Sequence, residues 1–123
     1  MSAVSEQVVW ASGARGTVVR SVDGGRTWTA DTVPGATSLD FRAIHAWNDS
    51  AAVIASAGEA ERGLARIFAT GDAGTNWHLV YSTDLKGVFL DAIAFWDVKN
   101  GIALSDPVDG AFALLTTTDG GGT

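Results

Sequence analysis

The octet Ser21-Val22-Asp23-Gly24-Gly25-Arg26-Thr27-Trp28 decides the fold, because variants of it return twice along the chain. The second copy is Thr70-Gly71-Asp72-Ala73-Gly74-Thr75-Asn76-Trp77. The third is Thr117-Thr118-Asp119-Gly120-Gly121-Gly122-Thr123, which stops one residue before its tryptophan. The aspartates of successive copies lie 49 and 47 residues apart. Repetition at about 40 to 50 residues is typical of propellers and solenoids.

Each copy has the residue types of a tight β-hairpin turn. Aspartate at the head of a turn accepts hydrogen bonds from the backbone N–H groups that follow it. The glycines supply the positive φ angles that a tight hairpin needs. The tryptophan begins the return strand and brings a large apolar surface to pack. We therefore predict three hairpins, called here the first, second and third aspartate turns (residues 21–28, 70–77 and 117–123).

Length and composition indicate one globular domain without a nucleic-acid partner. The chain has 123 residues, 46% of them hydrophobic and 18% charged, and a net charge of −6. A negative charge of this size disfavours a polyanionic partner. There is no cysteine, so neither disulfides nor thiolate metal sites are expected. We predict no cofactor, no metal site and no membrane span; no signal peptide opens the chain.

The stretches around the aspartate turns predict an all-β fold of blades with four antiparallel strands each. Several strands are apolar on both faces, as in a blade packed between two others. Each aspartate turn joins the third and fourth strands of its blade. The predicted strands of the second repeat are residues 41–47, 51–57, 64–69 and 77–82; those of the third are 90–96, 101–105 and 111–117, with a turn at 106–110. The predicted blades are residues 1–34, 40–84 and 88–123, a single partial propeller incomplete at both ends.

The octets resemble the Asp-box, or BNR repeat, with the pattern Ser/Thr-x-Asp-x-Gly-x-Thr-x or Trp. The second copy departs from it at Asn76, where threonine is usual. First strands such as Phe41-Arg42-Ala43-Ile44 resemble those of propellers related to the photosystem II assembly and stability factor. The resemblance covers the whole chain, and it implies an exported, periplasmic or lumenal parent protein. Because one fold hosts unrelated activities, the resemblance indicates the fold more than the function.

The same resemblance implies that the aspartate turns are structural and lie on the face opposite the usual active site. Trp28 and Trp77 are then expected to pack between blades rather than to bind carbohydrate. The residues predicted for this structural role are Ser21, Asp23, Gly25, Thr27, Trp28, Thr70, Asp72, Gly74, Trp77, Thr117, Asp119, Gly121 and Thr123.

Candidate functional residues belong to the other face, which the turns between second and third strands and the linkers between blades form. These segments are residues 13–16, 31–40, 58–63, 82–87 and 105–110. Arg42 and Asp91 occupy matching positions at the start of innermost strands, where they can contact an anion, a central channel or each other. Asp106 and Asp109 lie around Pro107, where they form a carboxylate pair, a cation site or, as we expect, a hydrogen-bonded turn. The isolated His45 and His78 lack metal-ligand spacing.

Two classes of function remain open. The first is a non-enzymatic scaffold or binding module that engages a protein partner on its loop face. The alternative is a sialidase-like or other glycoside hydrolase, which needs an arginine cluster and a tyrosine–glutamate nucleophile. The segment that contains Arg42 matches the sialidase Phe/Tyr-Arg-Ile-Pro motif only in part. Tyr81, the sole tyrosine, is predicted on an outermost strand. We therefore predict no catalytic residues.

We also expect copies of this chain to assemble into an oligomer. The repeat period gives about 2.6 blades, whereas closed propellers have about 4 to 8. We expect a piece of a larger protein or an engineered fragment. Copies of it are expected to associate head-to-tail into a ring, because apolar blade faces and strand edges otherwise stay uncovered.

Overall fold

The computed structural model describes residues 1–57, 65–83 and 87–121, and their regular structure is β-strand. The strands are β1 (Ser2–Ala3), β2 (Val9–Ser12), β3 (Thr17–Ser21), β4 (Thr29–Thr32), β5 (Phe41–Ala46), β6 (Ala52–Ser56), β7 (Arg66–Thr70), β8 (His78–Ser82), β9 (Leu90–Phe95), β10 (Gly101–Val108) and β11 (Ala111–Thr117).

The strands form three antiparallel sheets, and within each sheet neighbouring strands follow one another in the sequence. The first sheet is β1-β2-β3-β4, the second is β5-β6-β7-β8, and the third is β9-β10-β11. Within each sheet consecutive strands pair as hairpins, and the aspartate turns at residues 21–28 and 70–77 join third to fourth strands. The innermost strands β1, β5 and β9 contact one another from sheet to sheet. The prediction of an all-β partial propeller is confirmed.

One strand extends further than the sequence predicted. We expected a turn over residues 106–110, but β10 continues to Val108, so Asp106 lies in the strand. The turn is confined to Asp109 and Gly110, both with positive φ. The β10–β11 register shifts between Leu104 and Pro107. This irregularity accommodates the proline, which has no N–H to donate to a ladder.

The hydrophobic core lies between the sheets. Trp10 and Val18 of the first sheet meet Phe41, Ile44 and Ile54 of the second in one buried cluster. A second cluster joins the second and third sheets through apolar side chains that include Ala55, Ile67, Leu90 and Ala103. The second sheet is therefore apolar on both faces, as its sequence indicated, and β6 is buried along its whole length.

Tryptophan side chains tie each sheet to the next. The Trp10 indole N–H donates to the Asn48 carbonyl at 3.0 Å, and the Trp47 indole N–H donates to the Asp97 carbonyl at 3.3 Å. Both acceptors lie in the loop between the first and second strands of the following sheet. Trp10 also meets Trp77 edge to face, with ring centroids 6.4 Å apart.

The two tryptophans of the aspartate turns differ in their surroundings. Trp77 packs against the first buried cluster, as expected for a residue between blades. Trp28 is 46% exposed, and its indole N–H donates to the Gly25 carbonyl at 3.1 Å. The expected inter-blade packing of Trp28 is thus not found in this chain, because Trp28 lies on the face of the first sheet that points away from the second.

Replacing Trp10 with alanine should destabilise the chain by about 3–5 kcal/mol, because the side chain is almost fully buried and its removal leaves a cavity beside Trp77. Denaturant unfolding followed by circular dichroism measures the loss. Trp96→Ala is the matched control: Trp96 is 68% exposed, so its removal should change stability by less than about 0.5 kcal/mol. Equal losses in the two variants would contradict the assignment of Trp10 to the core.

Candidate functional site

The sheets have two ends with different chemistry. The aspartate turns and the loops between first and second strands lie at one end, which we call the turn face. The hairpins between second and third strands and the linkers between sheets lie at the other end, which we call the loop face. Arg42, Asp91, Asp106 and Asp109 all belong to the loop face, as their positions at the ends of β5, β9 and β10 require.

The first aspartate turn is closed by its own side chains. The Asp23 carboxylate accepts the Thr27 backbone N–H at 2.9 Å and the Thr27 hydroxyl. The Ser21 hydroxyl donates to Asp23 at 2.8 Å and accepts the Gly25 N–H at 2.8 Å. Gly24 and Gly25 have φ angles of 72° and 85°, in the region that favours glycine.

The second turn repeats this geometry with different side chains. Asp72 accepts the Asn76 backbone N–H and the Asn76 side-chain amide, both at 2.8 Å. Asn76 therefore supplies the donor that threonine supplies in the first turn. Ala73 adopts the left-handed conformation with a φ of 62°, where the first turn has Gly24.

The third turn keeps the same contacts as far as it is described. The Thr117 hydroxyl donates to Asp119 at 2.8 Å and accepts the Gly121 N–H at 2.9 Å. Thr123, predicted to belong to this turn, lies outside the described residues.

Each aspartate turn also bonds to the first loop of its own sheet. A backbone N–H inside the turn donates to a carbonyl in the loop between the first and second strands. The donors are Gly24, Ala73 and Gly120, the acceptors are Gln7, Ser50 and Lys99, and the distances are 2.9, 2.9 and 2.7 Å. The polar groups of the turns are therefore directed at their own chain, which leaves them little capacity to bind a ligand.

Hydrogen bonds to Asp23 stabilise its ionised form. Those from the Thr27 side chain and backbone, followed by that from Ser21, lower the pKa of Asp23 from 3.8 to about 2. The pKa of Asp72 is also lowered, chiefly by the Asn76 backbone and side-chain donors. Such shifts link folding to pH, because the folded chain holds the charged form better than the unfolded chain does.

We expect Asp23→Asn to lower the melting temperature near pH 6, because an amide cannot accept both Thr27 donors. The folded pKa lies below the unfolded value, so the stabilisation is present above about pH 4 and is lost as the pH falls toward about 2. The difference between variant and wild type should therefore shrink over this range. Melting curves of both proteins across pH measure it.

Asp31→Asn, which changes an exposed aspartate of β4, is the control and should melt like wild type at every pH. A difference between Asp23→Asn and wild type that stays constant down to about pH 2 would contradict this role of the ionised carboxylate.

Two β-bulges shape the loop face. In the second sheet Phe41 pairs with Ser56 and Ala43 pairs with Ala55, so Arg42 has no residue opposite it. In the third sheet Leu90 pairs with Ser105 and Ala92 with Leu104, so Asp91 is likewise unpaired. Bulges redirect a side chain and are common beside functional sites. The matching positions of Arg42 and Asp91 in the sequence therefore correspond to matching bulges on neighbouring innermost strands.

The loop face brings Arg42, Phe89, Asp91 and Asp106 together. The Arg42 guanidinium carbon lies 5.1 Å from the centroid of the Phe89 ring, within the range of a cation–π contact. Burial raises the pKa of Asp91. The hydrogen bond that its protonated carboxyl donates to Asp106 and the negative charge of Asp106 raise this pKa further, while the Arg42 charge lowers it. Asp91 therefore keeps its proton to a higher pH than an isolated aspartate would. We call these four residues the loop-face cluster.

The other predicted residues lie apart from this cluster. Asp109 occupies the β10–β11 turn, so Asp106 contacts Asp91 across β9 and β10 rather than forming a pair with Asp109. His45 is half-buried between Trp47 and Phe95, and burial lowers its pKa. His78 is exposed at the start of β8. Residues 58–63, and residues 84–86 of the linker 82–87, lie outside the described residues.

The cluster offers hydrogen-bond donors, acceptors and an aromatic surface rather than a metal centre. Arg42 can donate hydrogen bonds to carbonyl or carboxylate oxygens. Asp91 and Asp106 can accept hydrogen bonds from amide or ammonium groups. In the described ranges, no group of three or more histidine, aspartate or glutamate side chains is placed to hold a metal ion. The described residues contain no helix long and apolar enough to cross a membrane.

Sequence reasoning identified Arg42 and Asp91 but missed Phe89, whose position one residue before β9 carried no distinguishing signal.

Comparison with known proteins supports the fold. No protein-family model and no curated protein matches the chain. The chain is similar to the solved structure "YCF48 bound to D1 peptide", with a TM-score of 0.77 and 17% sequence identity over 99% of this chain. The matched region is 36% of that structure's chain, so this chain spans about a third of its length. A second structure, "YCF48 from Cyanidioschyzon merolae", matches at 13% identity over 93% of this chain and 54% of its own, with a TM-score of 0.34. The predicted resemblance to β-propellers is confirmed by the first.

Proposed function

We propose that this chain is a non-enzymatic binding scaffold whose loop face takes a peptide segment of a protein partner. The convergence of Arg42, Phe89, Asp91 and Asp106 on one end of the sheets carries the proposal. These side chains come from three strands or their ends, and two of them, Arg42 and Asp91, are displayed by bulges. The packed sheets beneath them hold the cluster in place, which lowers the entropic cost of binding.

The chemistry of the cluster suits an extended peptide. The Arg42 guanidinium has five N–H donors that match carbonyl and carboxylate oxygens. Phe89 supports that guanidinium from one side and presents an apolar surface to a ligand. Asp91 and Asp106 accept amide or ammonium donors from the other side. A peptide offers all of these groups, whereas a purely anionic ligand would meet the two carboxyls.

The structural neighbour supports the class of ligand. That protein is bound to a D1 peptide in the matched structure. At 17% identity the likeness does not carry the ligand over to this chain. A D1 peptide is nevertheless a reasonable first probe for a peptide-binding face on the same fold.

Arg42→Ala should weaken binding of a D1 peptide by at least about tenfold, because loss of a charge-assisted hydrogen bond costs roughly 1.5–3 kcal/mol. Titration calorimetry measures the affinity. Arg26→Ala is the matched control: Arg26 is an exposed arginine of the first aspartate turn, on the turn face. Its removal leaves the net charge the same as in Arg42→Ala and should leave binding unchanged. Equal losses in both variants, or no binding by the wild-type chain, would contradict the proposal.

We propose further that the three sheets are propeller blades with the bounds 1–34, 40–84 and 88–123, and that the aspartate turns are structural Asp-boxes. The hydrogen bonds that each described turn makes to its own residues and to the first loop of its sheet support this assignment.

The sialidase-like alternative has weaker support. Tyr81 lies on β8, the outermost strand of its sheet, whereas Arg42 begins the innermost strand. A tyrosine nucleophile and a carboxylate-binding arginine would have to lie at one site. Hydrolysis of an aryl sialoside by the purified chain, lost in Arg42→Ala, would favour this alternative.

Copies of the chain are proposed to associate head-to-tail, and the exposed apolar face of the third sheet supports this. Alignment of β11 on β7 through the turn residues Thr117 and Thr70 places Leu114 where the second sheet has Ile67. Leu114 is 58% exposed, whereas Ile67 is 9% exposed beneath the third sheet. The outer face of the third sheet is thus equivalent to a face that packs between blades.

We expect light scattering after size exclusion to give a mass above that of one 12.7 kDa chain at micromolar concentration. Leu114→Glu should reduce the mass toward the monomer, because a charge on this face opposes its burial. Val22→Glu, at an exposed position of the first turn, is the control and should leave the mass unchanged. A well-folded wild-type monomer would contradict head-to-tail association.

A further inference from the structure

Ser105 is a buried residue of β10 that bonds to two members of the loop-face cluster. Its side chain and backbone are together only 1% exposed. The hydroxyl oxygen accepts the backbone N–H of Phe89 at 2.9 Å, and the O–H donates to the backbone carbonyl of Asp106 at 3.0 Å. Because the hydroxyl is buried and bonded to the backbone of the cluster, it is not available to a ligand.

The backbone of Phe89 is held on both sides of its ring. Besides the bond to Ser105, its carbonyl accepts the Asp106 backbone N–H at 3.0 Å. Its two chain neighbours, Val88 and Leu90, are buried in the cluster that joins the second and third sheets. The ring itself is half-buried and meets the guanidinium of Arg42. The position of this ring therefore depends on backbone bonds made to Ser105 and the residue after it.

The equivalent serine of the second sheet makes a different contact. Ser56 and Ser105 are each the fifth residue of the second strand of their sheet, and both are buried. The Ser56 hydroxyl bonds to the backbone of Arg66 on the following strand. Ser105 lies within the β10–β11 register shift, and its hydroxyl bonds to Phe89 on the preceding segment instead. The third sheet thus uses this position to hold a residue of the loop-face cluster.

We propose that Ser105 is a positioning residue of the loop face: its hydroxyl fixes Phe89, and through that ring it fixes the guanidinium of Arg42. The proposal rests on the loop face being the peptide site. A binding group that a packed and hydrogen-bonded support already holds in place loses less freedom when the ligand binds. Removal of the hydroxyl takes away the acceptor of the Phe89 N–H, so the ring is no longer fixed beneath the guanidinium.

The side-chain resonances of Arg42 report its contact with Phe89 without any ligand, because an aromatic ring shifts the resonances of protons above its face. Ser105→Ala should move the Arg42 δ-methylene resonances toward their positions in Phe89→Leu, which has no ring. Ser21→Ala is the matched control: Ser21 is also 1% exposed and its hydroxyl accepts the Gly25 N–H at 2.8 Å, but it belongs to the turn face. It should leave the Arg42 resonances unchanged.

Titration calorimetry with the D1 peptide measures whether this contact contributes to binding. Ser105→Ala should weaken binding at least about threefold, within the range of couplings measured between residues that share contacts. The same change should have a clearly smaller effect in the Arg42→Ala background, because Ser105 acts through Arg42. A residue that only stabilises the fold would weaken binding by the same factor in both backgrounds. Ser21→Ala should leave the affinity unchanged.

Unchanged Arg42 resonances in Ser105→Ala would overturn the proposal, as would equal factors in the two backgrounds. If Ser105→Ala melts too low to be measured, Ser105→Cys keeps the site filled and replaces the hydroxyl by a weak acceptor, so both readouts should change in the same direction. If the wild-type chain does not bind the D1 peptide, the proposed function fails, and the Arg42 resonances alone decide whether Ser105 positions this side chain.

Discussion

The carboxylate of each aspartate turn organises the outer half of its sheet. By accepting the N–H groups that would otherwise lack partners, Asp23 and Asp72 hold their turns in a conformation with two residues at positive φ. This conformation directs one further N–H at the loop between the first and second strands. The outer hairpin is thereby joined to the inner hairpin, and the indole of Trp77 is carried into the space between the first two sheets.

Once the turns are set, the packing between sheets follows from strand composition. Strand β6 of the second sheet has small and β-branched side chains on both faces, so it packs against the first sheet on one side and the third on the other. The sequence was sufficient to predict this much: the octets gave the repeat, their spacing gave the strand number, and Ala-Val-Ile-Ala indicated a strand buried on both faces. Hairpin pairing of consecutive strands needed no further information.

The parts of the candidate site that were missed depend on register, which composition does not reveal. The bulges at Arg42 and Asp91 arise from a one-residue shift in strand pairing, and nothing in the local sequence marks either position. The extension of β10 through Pro107 brought Asp106 beside Asp91 instead of Asp109. Trp28 and Trp77 occupy equivalent octet positions, but their burial depends on the neighbouring sheet rather than on the octet itself.

The repeats therefore preserve backbone geometry while allowing side-chain volume to differ between interfaces. Trp10 and Val53 hold equivalent positions in β2 and β6, and the first is covered by an indole while the second lines a cavity. Backbone hydrogen bonds tolerate this difference because they lie in the plane of each sheet, whereas the side chains that differ project from its faces. The turn face has its polar groups committed to the fold, whereas the exposed loop face carries Arg42, Asp91 and Asp106 at strand ends and bulges. Binding chemistry in such a fold is thus expected at the loop face, because side-chain changes there leave the hydrogen bonds that define the repeat intact.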